Sequence, residues 1–272
     1  MESLPAYLSN RLDTLQETFG HRAFTVDEAQ QILATSRSFT YKILQELTDR
    51  GQLKRLGRGV YTCNGMVSGM SHDIAFSGPM RDVHSTLFSE GIHFFVTGLD
   101  ILLPFTHHLL VRYPHLIYVE RGSGEWAKQT ISSAGYKAVL GPDAEALEVA
   151  LDLVGDEGLI VIRETGEFYG TGDEQATLER ALVDLYCEVT RLGFPLSLAE
   201  VGRIFFSAVH QGGLNYSRLL HAARRRGLEA EIRGVLLELS FHVQIPALFL
   251  SGKVKRNENT AVVAETIGAI LR

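Results

Sequence analysis

Cysteine is scarce in this 272-residue sequence, which contains only two, Cys63 and Cys187. They lie far apart along the chain and form no Cys-x-x-Cys spacing, so neither a zinc-ligand pattern nor a disulfide framework is indicated. In a reducing compartment both residues stay thiols. The composition is otherwise that of an ordinary globular protein, with 45% hydrophobic and 21% charged residues, and the length is sufficient for two domains.

The sequence also lacks a long uncharged apolar run. The longest apolar stretch, from Ile92 to Val111, is interrupted by Asp100, Pro104 and the His107-His108 pair. A membrane-spanning helix needs roughly 20 apolar residues, and the first thirty residues contain no signal-peptide core. We therefore predict a cytoplasmic protein with no membrane partner.

Signatures of catalysis and of metal binding are missing as well. Gly122-Ser123 resembles the first half of a nucleotidyltransferase motif, but no pair of carboxylates on one strand follows it before Gly141. The histidines form no His-x-x-x-His pair with a nearby Glu, and there is no Gly-x-Ser-x-Gly elbow. We predict no catalytic residues, no metal site and no cofactor.

Positive charge is concentrated in one window. Between Thr35 and Thr62 there are six basic and two acidic residues, a charge of +4, which leaves −10 for the rest of a chain whose net charge is −6. A basic patch on an acidic body is suited to a protein that meets phosphate with one face only.

This window lies within a helix-turn-helix pattern. Leucines and Phe19 recur at helical spacing between Leu4 and Phe19, and Gly20 ends that helix. Thr25 and Glu28 form a predicted capping box for a second helix, which runs to about Ala34 with Ile32 and Leu33 among its inward residues.

A turn at Ala34-Thr35-Ser36 precedes the third predicted helix, which Ser36 caps and Gly51 ends. Its predicted core face carries Phe39, Ile43, Leu44 and Leu47. The opposite face offers side chains that can donate hydrogen bonds to base edges or phosphates: Arg37, Ser38, Thr40, Tyr41, Lys42 and Gln45.

A short strand at Gln52–Leu56, a tight turn at Gly57-Arg58-Gly59 and a return strand at Val60–Thr62 follow. Together these elements predict a winged helix-turn-helix over residues 1–64. Lys54, Arg55 and Arg58 on the wing complete the predicted DNA-binding set. A solvated basic face, or a module that docks proteins, would have the same pattern.

The run LTDRGQLKRLGRGVYT, from Leu47 to Thr62, resembles the end of the N-terminal domain of AbiEi-type antitoxins, the regulators of type IV toxin-antitoxin pairs. ATLERALVDL at Ala176–Leu185 is similar to the helix that follows their α/β core, and the pattern at His115–Leu140 is compatible with that core. The resemblance implies a reduced nucleotidyltransferase-like core, binding to the protein's own promoter, a cognate toxin as partner, and no metal or cofactor.

The rest of the chain predicts an α+β protein. Residues 65–73 are a predicted linker, residues 74–170 an α/β domain with strands near 92–97, 116–120, 136–140 and 158–163, and residues 171–272 a helical bundle packed on that domain. Ser197 and Glu200 form a second predicted capping box. The glycine-rich segments at 121–125 and 170–174 are interpreted as turns, although either could cradle an anion.

Two charged groups in the helical region have simple interpretations. Arg180 and Asp184 are four residues apart and predict an intrahelical ion pair. Arg224-Arg225-Arg226 end a helix, where cations suit the helix dipole, and an extended DNA footprint or an acidic partner are the alternatives.

The sequence therefore predicts a DNA-binding transcriptional regulator, an antitoxin-like autorepressor that binds double-stranded DNA and a partner protein and that can form a homodimer. Three alternatives remain open: a ligand-responsive winged-helix regulator, a nucleotidyltransferase-like enzyme with an accessory winged helix, and a protein-docking module.

Overall fold

The computed structural model describes residues 4–20, 22–63, 76, 78–106, 113–154, 158–211 and 214–270. The predicted linker at 65–73 and the His107-His108 pair lie outside these residues. The chain divides into two compact units. Unit 1 contains Met1–Asp73, Asn215–Ser217 and Ser240–Ser251, and unit 2 contains Ile74–Leu214, Arg218–Leu239 and Gly252–Arg272.

The fold is of the α+β class, as the sequence predicts, with two separate sheets. In chain order the elements are α1 (Ala6–Phe19), β1 (Phe24–Thr25), α2 (Val26–Leu33), α3 (Arg37–Asp49), β2 (Leu53–Gly57), β3 (Val60–Cys63), α4 (Pro79–Ser89), β4 (Phe94–Thr97), α5 (Leu99–Leu102), a 3-10 helix (Leu103–Phe105), β5 (His115–Glu120), α6 (Gly124–Ser133), β6 (Lys137–Leu140), α7 (Ala144–Val154), β7 (Leu159–Thr165), β8 (Thr171–Gly172), β9 (Gln175–Ala176), α8 (Leu178–Arg191), α9 (Leu198–His210), α10 (Tyr216–Arg225), α11 (Glu229–Leu239), α12 (Ala247–Leu250) and α13 (Glu258–Ile270).

Unit 1 is built on α1, α2 and α3, with the short α12 from its later segment, and on a small antiparallel sheet of order β1-β3-β2. Strand β1 pairs with β3 through Phe24 and Tyr61, a pairing that the sequence analysis did not predict because two residues carry no alternation. Helix α3 ends as predicted: Gly51 adopts a φ of +71° and the Gln52 amide donates to the Leu47 carbonyl, which satisfies an otherwise unpaired end of the helix.

Two residues that were predicted to face the core of unit 1 are exposed instead. Phe39 is 40% exposed and Ile32 is 41% exposed, so neither belongs to the core. On α2 only Val26 and Ala29 are fully buried, and Leu33 packs against their edge. The buried set combines residues of all three helices and of the sheet: Leu8, Leu12, Leu15, Phe19, Phe24, Val26, Ala29, Ile43, Leu44, Leu47, Leu53, Tyr61 and Cys63.

Unit 2 contains a six-stranded mixed sheet of order β6-β7-β5-β4-β9-β8. Strands β5, β7 and β6 are parallel, connected through α6 and α7, which confirms the predicted alternation of strand and helix. Strand β4 runs antiparallel to β5 and parallel to β9. The predicted turn at 170–174 is confirmed as the β8–β9 hairpin, with Asp173 and Glu174 at positive φ.

Helices α8, α9 and α11 of unit 2 lie within residues 171–272, the range predicted to be helical. Helix α8 is buried along nearly its whole length, and α13 packs against α9 and α11. The second predicted capping box is only half present. The Ser197 hydroxyl accepts from the Glu200 amide at 3.1 Å, but the Glu200 carboxylate pairs with Arg203 at 2.7 Å instead of returning to the cap. None of the helices in the described ranges is long and apolar enough to cross a membrane.

Candidate nucleic-acid interface

Two well-formed caps fix the positions of α2 and α3. The Thr25 hydroxyl accepts from the Glu28 amide at 3.2 Å, and the Glu28 carboxylate accepts from the Thr25 amide at 2.7 Å, which confirms the predicted capping box. The hydrogen bond from the Thr25 amide lowers the pKa of Glu28, and burial opposes this effect. The turn then passes through Ala34, whose φ is +49°, to Ser36, which caps α3 as predicted.

Helix α3 presents one exposed polar face, which we call the α3 face. It consists of the predicted residues Arg37, Ser38, Tyr41, Lys42 and Gln45, all of them exposed. Arg37, Tyr41 and Gln45 are spaced by four residues, so they lie in one row along the helix. The face therefore combines two cations with hydroxyl and amide groups that can hydrogen-bond to bases.

Thr40 was predicted to belong to this face, and that prediction is wrong. The residue is fully buried, and its hydroxyl donates to the Ser36 carbonyl at 3.0 Å and lies 2.8 Å from the Thr35 hydroxyl. The physical reason is the spacing of the core. Positions 40, 43, 44 and 47 form the inward row of an amphipathic helix, so Thr40 takes the core position that Phe39 was expected to fill.

Phe39 instead projects beside α1. The Arg11 guanidinium carbon lies 4.7 Å from the Phe39 ring centroid, a cation–π contact that brings another positive charge close to the start of α3. Arg11 could not be predicted from the sequence, since nothing along α1 indicates which of its polar residues contacts α3.

The β2–β3 hairpin carries the remaining predicted residues. Arg55 and Arg58 are exposed, and Lys54 is half-buried. The hairpin turn at Arg58 and Gly59 needs the positive φ of Gly59, +72°, and the Gly59 carbonyl accepts from the Val26 amide at 3.1 Å. The turn is thereby attached to the start of α2.

The α3 face and the hairpin meet near Tyr61. Burial raises the pKa of the Tyr61 hydroxyl, the Arg55 guanidinium partly opposes that rise, and Tyr41 adds to it. Arg55 is also the strand partner of Tyr61 in the β2–β3 ladder, so the hairpin and the α3 face approach each other at this side chain.

Distant parts of the chain support the hairpin within unit 1. The Arg58 amide donates to the Ser217 hydroxyl at 3.3 Å, and the Asn215 side-chain amide donates to the Arg55 carbonyl at 3.2 Å. The backbone of the hairpin is thus held while the Arg58 side chain remains exposed. These two contacts could not be predicted from the sequence, because a polar Asn-x-Ser far along the chain carries no local signal for them.

An acidic residue lies at the edge of the α3 face. The Asp27 carboxylate is 3.4 Å from the Arg37 guanidinium, and both side chains are more than half exposed. An exposed pair of this kind is weak and exchanges readily for another partner. Arg37 is therefore available to a phosphate or to a guanine edge.

The charged and glycine-rich motifs of unit 2 have internal partners. The predicted Arg180–Asp184 ion pair is confirmed, with Nε 2.8 Å from a carboxylate oxygen. The amides of Gly122 and Gly124, the possible anion cradle, donate to the Glu164 carboxylate at 3.0 and 2.8 Å. Within the described ranges, no group of three or more His, Cys, Asp or Glu residues is placed to hold a metal ion.

The three consecutive arginines at the end of α10 each pair with a different carboxylate. Arg224 pairs with Glu229, Arg225 with Glu167 and Arg226 with Asp184. Their role is thus more specific than a general interaction with the helix dipole.

Residues 39–241, about three quarters of the chain, match the model of a family described as a family of unknown function (DUF6577). The matched region begins inside α3 and includes the β2–β3 hairpin. No curated protein matches the chain.

Proposed function

Because the chain belongs to DUF6577, a family of unknown function, its role must be inferred from its own residues, and we propose that it is a transcriptional regulator that binds double-stranded DNA through unit 1. Unit 1 would act as a winged helix-turn-helix, with α3 in the major groove and the β2–β3 hairpin as its wing. A cytoplasmic location, where the protein meets DNA, belongs to the same proposal.

The observation that carries the proposal is the composition of the α3 face. Its five exposed side chains are all able to hydrogen-bond, and two of them are cations. An α-helix fits the major groove of B-DNA, and the residues near the N-terminus of a recognition helix reach the base edges. Arg37, Ser38 and Tyr41 hold those positions, so we assign base recognition to them.

The hairpin supplies contacts of a second kind. Arg58 is exposed at the tip of a turn whose backbone is fixed, and Arg55 is exposed on the strand before it. Cations held in this way fix the register of a protein on DNA through phosphates and carry little sequence information. We assign phosphate contact to Lys54, Arg55 and Arg58.

The resemblance to AbiEi-type antitoxins supports a more specific version of the proposal. In that version the protein represses its own promoter as a homodimer whose two copies occupy two half-sites, while unit 2 binds a cognate toxin. No metal or cofactor enters this mechanism, and no catalytic residue is assigned.

The test is a fluorescence-anisotropy titration of the full chain with DNA from upstream of its gene, at two salt concentrations. Affinity should fall steeply with salt, because phosphate contacts release counterions. The double variant Lys54→Ala/Arg58→Ala should weaken binding to every sequence and reduce the slope of log affinity against log salt by about one per lost contact. Arg37→Ala or Tyr41→Ala should instead relax preference at particular bases.

Arg121→Ala is the matched control, since it removes an exposed arginine of unit 2 and should leave the affinity unchanged. Absent binding, or binding that ignores salt, would exclude the proposal.

The second candidate is a protein-docking role for unit 1. It is favoured by three exposed apolar side chains on α2 and α3, those of Ile32, Phe39 and Tyr41, which are each about 40% exposed. The same titration separates the two candidates, because a docking module would show no salt-dependent affinity for DNA.

A further inference from the structure

Unit 2 contains a cluster of charged side chains that is buried beneath the surface. We call it the arginine cluster. It consists of Arg163 on β7, of Arg180, Asp184 and Glu188 on α8, and of Arg226 directly after α10. Asp184 and Glu188 are fully buried, and Arg180 is 1% exposed. Buried charges at this density are costly to desolvate and are retained only when paired or when they have a function.

The two carboxylates of the cluster are already occupied. Asp184 accepts from Arg180 at 2.8 Å, from Arg226 at 2.6 Å and from the Thr97 hydroxyl at 3.1 Å. Glu188 accepts from Arg163 at 2.9 Å and from the Tyr118 hydroxyl at 2.6 Å. Neither carboxylate is left to take a further cation, which argues against a metal ligand role for Asp184.

Arg180 has one nitrogen with no partner. Its Nε donates to Asp184, and its Nη1 donates to the carbonyls of Glu167 and Tyr169 at 3.3 and 2.9 Å. Its Nη2 is buried and makes no hydrogen bond to the described residues. A buried donor without an acceptor costs about 1–3 kcal/mol, and more for a charged group, so an acceptor from outside the chain would stabilise it.

The loop between β7 and β8, residues 166–170, lies over this guanidinium group. Phe168 stacks on His93 at 3.8 Å between ring centroids and meets Phe95 edge-on at 5.4 Å. Phe95 in turn lies under Arg180, with 5.1 Å from its ring centroid to the guanidinium carbon. The loop therefore packs on the aromatic ring that lies under Arg180.

A second arginine contacts the same loop from the exposed side. Arg225 donates to the Glu167 carboxylate at 2.5 Å, and its guanidinium lies 5.3 Å from the Tyr169 ring centroid. Arg180 and Arg225 thus both contact Glu167 and Tyr169. The buried Arg180 bonds to their carbonyls, and the exposed Arg225 contacts their side chains. Glu167 supplies an anion of the protein's own to Arg225, and its side chain is 48% exposed.

We propose that Arg180 and Arg225 form a binding site for the oxyanion group of a small ligand, a carboxylate or a phosphate. The ligand oxyanion displaces the Glu167 carboxylate from Arg225, and the 166–170 loop that this ion pair holds then moves enough for the oxyanion to accept from Arg180 Nη2. Guanidinium groups bind both oxyanions through paired, charge-assisted hydrogen bonds, so the shared chemistry is an oxygen anion. This site is independent of the DNA-binding proposal and does not rest on it.

The experiment measures thermal unfolding of the full chain during titration with sodium phosphate, with sodium acetate, and with sodium chloride at equal ionic strength. Phosphate, acetate or both should raise the unfolding temperature in a saturable way, as binding to the folded state requires, while chloride should not. Saturation by phosphate alone identifies a phosphate ligand, and saturation by acetate alone or by both identifies a carboxylate as sufficient.

Three variants locate the site. Arg225→Gln should weaken the fitted anion affinity at least about fivefold, and Glu167→Gln should strengthen it about two- to fivefold because the competing carboxylate is gone. Arg224→Gln is the matched control: its arginine is the neighbour of Arg225, is 62% exposed and pairs with Glu229 instead, so the affinity should not change. Arg180→Lys retains the charge but lacks Nη2, and should abolish saturation if the variant folds.

The proposal is overturned if neither anion gives a saturable shift beyond that of chloride. It is overturned equally if Arg225→Gln and Glu167→Gln bind anions as the Arg224→Gln control does, because the anion would then lie elsewhere, for example on the basic face of unit 1. Arg225→Gln and Glu167→Gln both alter partly exposed side chains, so the test does not depend on whether Arg180→Lys folds.

Discussion

Asp27 places a carboxylate beside the first turn of α3, where a DNA phosphate or base would otherwise meet Arg37. The two side chains are 3.4 Å apart and largely exposed, so their mutual attraction is small, while the repulsion between Asp27 and DNA remains at low salt. In the proposed complex with DNA, Asp27 would therefore lower the affinity of the α3 face for DNA, while it contributes little to stability.

We predict that Asp27→Asn increases affinity for DNA about two- to fivefold at low salt and less at high salt. Asp13→Asn is the control, since it removes an exposed carboxylate of the same unit that lies on α1. Anisotropy titrations of both variants at two salt concentrations measure the effect. Weaker binding by Asp27→Asn would show that Asp27 positions Arg37 and does not compete for it.

Thr40 is the opposite case, a polar residue of α3 that faces the core. Its hydroxyl bonds inside unit 1 to Ser36 and Thr35, so Thr40→Val should lower the free energy of unfolding by about 1 kcal/mol. Sequence preference on DNA should stay unchanged, since the side chain is fully buried. Urea unfolding and binding to a panel of single-base operator variants test the two parts. A changed preference at one base would contradict the buried position.

At the level of elements, the local signals in the sequence were sufficient for most helices and strands. The Thr25–Glu28 box, the Ser36 cap and the Gly51 stop are short-range patterns, and each occurs in the structure. The Phe39 and Thr40 assignments failed because a polar residue occupies a core position. The Thr40 hydroxyl can be buried there because it donates back to the Ser36 carbonyl of the preceding turn.

Contacts between residues far apart in sequence could not be predicted in the same way. Arg180 and Asp184 were recognised as an intrahelical pair, yet nothing in their spacing indicates that Arg226 reaches the same carboxylate from 42 residues away. The β8–β9 hairpin was assigned only as a turn, because two-residue strands have no measurable periodicity.

The corner between α10 and α11 carries a pH-sensitive interaction. Glu229 accepts from Arg224 at 2.7 Å and lies 2.9 Å from Arg233. The hydrogen bond from Arg224 is the main cause that lowers the pKa of Glu229 to about 2; burial opposes it and Arg233 supports it. A carboxyl whose folded pKa is lowered stabilises the protein above its unfolded pKa, and that stabilisation is lost as pH falls through the folded pKa.

We predict that Glu229→Gln lowers the free energy of unfolding by about 1 kcal/mol at pH 7, and that this difference shrinks as pH falls from about 4.5 towards 2. Glu145→Gln is the control, as Glu145 also lies in the first turn of a helix but shows no ion pair within the described residues. Urea unfolding at pH 7, 5 and 3 measures both variants. A difference that persists unchanged at pH 3 would contradict the low pKa.

For the molecule as a whole, unit 1 is not continuous in sequence. Asn215–Ser217 and Ser240–Ser251 belong to it, and they contact the β2–β3 hairpin at Gly57. A β-carbon at Gly57 would lie 2.5 Å from both the Phe249 ring and the Ser217 hydroxyl, so these groups press directly on the backbone. Tyr216 and Phe249 are buried beside each other, with 5.2 Å between ring centroids. The predicted DNA-binding domain therefore depends on residues near the other end of the chain.

A fragment ending at Asp73 lacks this cover. We predict that it retains its three helices but unfolds at a lower temperature than the full chain, with faster hydrogen exchange at the β3 amides of Val60–Cys63 and weaker binding to DNA. In the full chain, Gly57→Ala should reproduce part of the effect, about 1–3 kcal/mol, because the added methyl group overpacks the same contact. Gly172→Ala is the control, since a β-carbon there meets no atom within 4 Å. Equal exchange rates at β3 in the fragment and in the full chain would contradict this prediction, because they would show that residues 4–63 hold the hairpin without help.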